Sequence, residues 1–143
     1  MTTPPRWAIA PYFLVPDVRA AAEYYRDRLG FQFERFWGEG PSFTMVWRRG
    51  AVIMLARLET GPPMPNASVA REEGVWDAYV WVDDADALYA EYKAAGVRIA
   101  RDICDQPYNC RDFDVEDPNG YIICFGHDLA PVSASTPERD PRH

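Results

Sequence analysis

Few residues of this chain are of types that do chemistry unaided. Its 143 residues include two histidines and three cysteines. His143 is terminal, and His127 lies beyond the last apolar run. Cys104, Cys110 and Cys124 are odd in number and lack Cys-x-x-Cys spacing, which points to free thiols in a reducing compartment. A nucleophilic thiol needs a base or cation beside it, and the sequence names none near Cys124 or Cys110; packing is the other reading for both. Asp77 shares one face of an alternating run with Tyr79 and Trp81. There it either holds a ligand cation or amine or is simply solvated at a strand start. Tyr12, Trp37, Trp47, Tyr79, Trp81, Tyr108 and Phe113 are more aromatics than one small core face absorbs. Aromatic walls bind planar or cationic groups by stacking and cation–π contacts, and the same residue types are enriched at dimer interfaces.

The elements that must position these residues are organised around Asp117-Pro-Asn-Gly-Tyr-Ile-Ile-Cys-Phe125. Pro118 presets the backbone of a turn, and Asn119 or Gly120 supplies its positive φ. The alternation that follows predicts a strand, and the alternation of Cys110–Glu116 predicts its hairpin partner. Val46–Gly50 followed by Ala51–Leu55 has the same shape, which suggests a repeat. Val15-Pro-Asp17 and Val82-Asp-Asp84 each precede a helical pattern that stops at a glycine, Gly30 or Gly96. The offset from Val15 to Val82 is 67 residues, and that from Gly50 to Gly120 is 70. Two landmarks in one order predict two strand–helix–strand–strand–strand modules.

In chain order, the first module covers residues 6–58. Its first strand, Arg6–Val15, is interrupted by Pro11, which demotes it to an edge or a bulge. Asp17 caps a helix with Val18, Ala21, Ala22 and Tyr25 on its apolar side. Strands over 31–37, 42–48 and 51–57 complete the module. Residues 59–74, rich in proline, read as a linker without regular structure. The second module covers 75–127: a strand to Val82, a helix capped by Asp84 and bearing Leu88, Tyr92 and Ala95, a strand over 97–103, a loop over 104–109 and the hairpin. Residues 128–143 read as a disordered tail. The fold class is α+β, each helix covering one face of a mixed sheet whose other face is concave.

Apolar residues make up 48% and aromatics 14%, enough for a buried core. A formal charge of −7 argues against nucleic acid as a partner. It is compatible with a cationic ligand and equally with acidity that serves solubility alone. No run has the length of a membrane span, and the first six residues lack a signal-peptide layout, so the expected location is the cytoplasm.

The order of elements, Val-x-Asp before an Ala-rich helix ending Leu-Gly-Phe, and Asp-Pro-x-Gly before the last strand resemble the vicinal oxygen chelate superfamily. That group includes glyoxalase I, extradiol dioxygenases, fosfomycin-modifying enzymes and bleomycin resistance proteins. Asp84-Ala-Asp-Ala-Leu-Tyr-Ala-Glu-Tyr92, Gln106-Pro-Tyr-Asn-Cys-Arg-Asp-Phe113 and Asp117-Pro-Asn-Gly120 resemble the bleomycin-resistance branch, over about residues 8 to 127. The superfamily's metal enzymes place a ligand on the first and fourth strands of each module. Carried over by motif spacing, these positions are Ala10, Met54, Asp77 and Cys124. Alanine has no donor, and a thioether is too soft for the divalent ions these enzymes use.

The resemblance therefore implies a non-catalytic protein of the antibiotic-resistance type without a cofactor. It would be a homodimer sequestering a planar or cationic small molecule in an aromatic-lined cleft. The expected ligand-binding residues are Tyr12, Trp47, Met54, Asp77, Tyr79, Trp81, Tyr108, Phe113 and Cys124, with Tyr108 where that branch has a stacking aromatic. The alternative is a lyase, isomerase or dioxygenase that binds a divalent metal through displaced ligands, such as Asp77 joined by a glutamate or His127. A third is a metal-free enzyme using Asp77 or Cys124 as base or nucleophile.

Overall fold

A computed structural model describes residues 7–72 and 74–130. The chain divides into two compact units, the first ending at Pro63 and the second beginning at Met64. The first holds strand β1 (Tyr12–Val15), helix α1 (Val18–Asp27), β2 (Phe43–Arg48) and β3 (Ala51–Arg57). The second holds helix α2 (Asn66–Ala70), β4 (Ala78–Trp81), α3 (Ala85–Ala94), β5 (Ile99–Gln106), β6 (Cys110–Glu116) and β7 (Ile122–Asp128). Each unit has one mixed sheet, ordered β1-β3-β2 in the first and β4-β7-β6-β5 in the second.

The two units repeat one another in register. β1 runs parallel to β3 with Tyr12 opposite Met54, and β4 runs parallel to β7 with Tyr79 opposite Cys124. Both helices start at an aspartate whose carboxylate accepts from a backbone N–H three residues on, Ala20 for Asp17 and Ala87 for Asp84, each at 3.0 Å. Such a bond satisfies an amide that the first turn leaves orphaned. Gly30 and Gly96, past the two helix ends, share φ of 74°. That left-handed conformation is cheap only without a Cβ.

The first core lies between α1 and its sheet. Val18, Ala21, Ala22 and Tyr25 of the helix are buried with Phe13, Val15, Val46, Ile53 and Leu55. In the second unit, Tyr92 of α3 meets Phe113 and Phe125 edge-on at 6.2 and 5.4 Å, and those two rings stack at 5.7 Å. A fully buried side chain of this size contributes about 1.5–3 kcal/mol, so the helix-side faces account for most of the apolar stabilisation.

Several local expectations are corrected. The strand over 31–37 does not form; among the described residues the segment has only the isolated β-bridges Gln32–Trp47 and Trp37–Phe43. Phe33 and Phe36 come together at 5.1 Å beneath Arg26 and Arg19 of α1, so three-residue spacing overrides alternation there. The Thr44 hydroxyl donates to the Arg35 carbonyl at 2.7 Å and ties the segment down. β1 and β4 are shorter than expected, starting after Pro11 and Asp77 respectively. The proline-rich stretch holds the one-turn helix α2. The loop over 104–109 shrinks to a turn at 107–109, because β5 continues to Gln106. β7 runs to Asp128, so His127 and Asp128, the latter expected to open the tail, lie within the last strand; residues 131–143 lie outside the described residues.

Candidate functional site

Sheet alternation sends Tyr79, Trp81, Arg101, Asp112, Asp114 and Cys124 to the face of the second sheet that α3 leaves uncovered. Register shifts in β5 on both sides of Arg101 bring it opposite Asp114, with Cys104 opposite Asp112. Asp112 and Asp114 are buried, at 0% and 2% exposure. Hydrogen-bond donors converge on both. Arg101 grips Asp114 with Nε at 3.2 Å and Nη2 at 3.1 Å, and Nη2 also pairs with Asp112 Oδ1. Gln106 Nε2 donates to the same Oδ1 at 3.2 Å. The hydroxyls of Tyr79 and Tyr108 both donate to Asp112 Oδ2, at 3.0 and 2.6 Å.

These bonds set the protonation states. Burial pulls the Asp112 carboxyl upward, but hydrogen bonds from Tyr108, Arg101 and Tyr79 outweigh it and hold the group below the usual carboxylate range. Burial pushes Tyr79 and Tyr108 well above ordinary phenols, reinforced by hydrogen bonding to Cys110 for Tyr79 and to Asp112 for Tyr108. Both hydroxyls therefore keep their protons. Cys124 is buried, and burial followed by the charges of Asp114 and Asp112 drives its thiol far up; nearby Arg101 only partly offsets them. It is a packed thiol that bonds to Asp114, unsuited to nucleophilic attack.

Aromatic rings flank this polar cluster. Tyr79 lies 4.6 Å from Trp81 and 5.6 Å from Trp76, and Trp81 is 62% exposed. The Tyr79 hydroxyl crosses β7 directly over Gly126, where any Cβ would collide with it and with Asp112. Asp77, expected beside these rings as a ligand contact, accepts from the backbone N–H groups of Asn66 (2.7 Å) and Ile122 (2.8 Å). Its oxygens join the start of α2 to the start of β7. Phe113 is a correction: flanked by the two aspartates of the open face, it falls on the helix side and is fully buried against Tyr89, Tyr92 and Phe125.

The remaining candidates belong to the first sheet. Tyr12 and Met45 stand on either side of Met54 on the face away from α1, and the Tyr12 ring stacks on Phe43 at 6.4 Å. Trp47 lines a cavity of about 280 Å³ with Glu34, Arg35, Trp37, Met45 and Val52. Arg35 covers the Trp37 ring at 4.6 Å.

The positions that carry metal in related enzymes do not fit one here. Ala10 has no donor, Met54 offers a thioether, the Asp77 oxygens hold amides and the Cys124 thiol stays protonated. His127, the proposed displaced ligand, accepts from the Ala85 N–H through Nδ1 at 2.8 Å and so caps α3. Among the described residues, no group of three or more His, Cys, Asp and Glu is placed to hold a metal ion.

Two mixed sheets, each with a helix on one face and a polar and aromatic surface on the other, define an α+β class of fold. The chain belongs to the Glyoxalase/Bleomycin resistance protein/Dioxygenase superfamily, whose family model matches residues 9–125. Among solved structures it is similar to the bleomycin-binding protein of bleomycin-producing Streptomyces verticillus in complex with copper(II)-bleomycin, at 24% identity. That match covers 92% of this chain and 100% of the other, with a TM-score of 0.60. TnmS3, an antibiotic-binding protein from Streptomyces sp. CB03234, matches at 22% identity over 86% of this chain and 97% of its own, with a TM-score of 0.64. TioX from Micromonospora sp. ML1 matches at 20% identity over 86% and 100%, with a TM-score of 0.66. No curated protein matches the chain.

Sequence reasoning named Tyr79, Trp81, Tyr108 and Cys124, which the structure brings to one face. It missed Arg101, Asp112, Asp114 and Gln106. The usable signal was the run Asp112, Asp114, Glu116 at period two, carboxylates alternating with the apolar Phe113 and Val115.

Proposed function

We propose that this protein binds and sequesters a planar or cationic small molecule in an aromatic-lined cleft, as a homodimer, without catalysing its conversion. The observation that carries the reading is the open face of the second sheet. There, the exposed Trp81 and the half-buried rings of Trp76, Tyr79 and Tyr108 stand beside ionisable groups that are already bonded to one another. Tyr108 and Tyr79 are held by a buried carboxylate, and Cys124 keeps its proton. Sequestration needs an apolar surface with a few oriented polar groups, and this face supplies both. Tyr12, Trp47 and Met54 lie on the open face of the first sheet and are ligand contacts of that unit in the same reading. The solved structures similar to this chain include proteins that bind bleomycin and other antibiotics, which supports the reading at the level of ligand type.

The test is ligand binding read by tryptophan fluorescence. Trp81→Ala and Tyr108→Ala should each weaken binding of planar cationic probes about tenfold, since a stacked aromatic contributes about 1 kcal/mol or more beyond its area. Both variants should stay folded at the assay temperature, with Tyr108→Ala melting lower because the buried Asp112 carboxylate loses a donor. Unchanged affinity in both variants would remove the assigned surface.

A further inference from the structure

On the open face of the second sheet the donors of the polar cluster point inward. Arg101 spends Nε and Nη2 on Asp114 and Asp112, and Nη1 on the carbonyls of Asp102 (3.3 Å) and Asp112 (3.1 Å) and on the Cys104 sulfur (3.3 Å). A guanidinium has five N–H bonds, and these contacts account for them. Gln106 commits its amide hydrogens to Asp112 Oδ1 (3.2 Å) and Cys104 Sγ (3.5 Å). Tyr79 and Tyr108 each have one hydroxyl proton, and both protons lie on Asp112 Oδ2. Asp112 thus receives two donors on each oxygen, which fills a carboxylate's acceptor capacity, and at 0% exposure it is out of a ligand's reach.

What the half-buried outer layer of the cluster itself still offers is lone pairs, on the Tyr108 hydroxyl and the Gln106 side-chain carbonyl; the Tyr79 hydroxyl is also bonded to Cys110. A hydroxyl that donates to a carboxylate is itself a stronger acceptor, because bonds in a chain polarise one another. The cation that would otherwise attract an anion is saturated. We infer that this cluster selects ligands presenting N–H donors, as amino or amidinium groups on a planar cation, and discriminates against acceptor-only and anionic ligands. The inference rests on the binding reading above and specifies the ligand's polar edge.

Two dyes of one ring skeleton and one charge separate the cases. Thionin carries two primary amino groups; methylene blue carries dimethylamino groups without N–H. Anthraquinone-2-sulfonate serves as a planar anionic acceptor. Equilibrium dialysis against the full chain, in the dark, gives the three affinities. Thionin should bind about tenfold more tightly than methylene blue, the worth of a hydrogen bond to a charged group, although methylene blue offers more apolar area. The sulfonate should not compete. In Tyr108→Phe, which keeps the ring and loses the acceptor, the thionin preference should fall toward parity. The dye comparison on the parent chain needs no variant to fold. Methylene blue binding as tightly as thionin, or competition by the sulfonate, would overturn the inference while leaving binding intact. No binding by any of the three would overturn the binding reading as well.

Discussion

Asp112 is the residue on which the second sheet's open face depends. Replacing it with asparagine leaves two tyrosine hydroxyls and part of the Arg101 fork with a weaker acceptor. The expected cost at pH 7 is about 1–3 kcal/mol, measured by urea unfolding. Its carboxyl is held below the usual range, so on acidification the unfolded chain takes up the proton first. The stabilisation is complete above about pH 4 and is lost as pH falls through the lower folded value. The gap between the parent chain and Asp112→Asn should therefore narrow below about pH 4; a gap constant down to strong acid would show that charge is not its source. The thiols give a second residue-scale prediction. Cys104 is exposed, whereas Cys110 and Cys124 are buried. Iodoacetamide at pH 8 should label Cys104 in the native protein and reach Cys124 only after unfolding, as read by peptide mass spectrometry. Equal labelling rates would show that the face opens readily.

At the scale of elements, β7 has no room for a side chain at Gly126. Its Gly126 lies beneath the Tyr79 hydroxyl and against Asp112 Cβ and the Arg111 carbonyl. Gly126→Ala puts a methyl group into occupied space, part of it backbone, and should destabilise the chain by about 1–3 kcal/mol. It should also displace Tyr79, so probe binding falls even at temperatures where the variant is fully folded. Normal stability with normal binding would mean that Tyr79 has another way to reach Asp112. The same strand serves its other face through His127, which caps α3 by accepting from Ala85. One strand thus fixes both the helix above it and the tyrosine below it.

At the scale of the whole molecule, exposed apolar side chains bear on assembly. Trp7 and Ile9 are almost fully exposed, and Tyr12 and Leu14 of the edge strand β1 remain partly so. Large apolar side chains left exposed close together in the sequence are candidates for an interaction site. Together with the proposed homodimer, it predicts a sedimentation-equilibrium mass of twice the 16.3 kDa chain. Trp7→Asp with Ile9→Asp should shift the mass toward that of one chain, since a buried unpaired charge opposes association. A parent chain that sediments as a monomer at high concentration would remove the dimer from the proposal. No described helix is long and apolar enough to cross a membrane.

Local rules made much of this fold legible in the sequence. Asp17 and Asp84 are caps because a short carboxylate reaches the amide three residues on, and nothing distant alters that. The repeat offsets of 67 and 70 carry the pair Tyr12–Met54 onto Tyr79–Cys124, so one module's register was readable from the other. The family followed from the same landmarks. What the sequence could not show depended on which strand meets which, and where. Charges in a strand read as solvated until pairing encloses them. Arg101 reaches Asp114 only because β5 shifts register twice against β6, and alternation alone carries no record of such a shift. Phe113 joined the core for the same reason, because the burial of its two aspartate neighbours on the opposite face was decided by tertiary contacts.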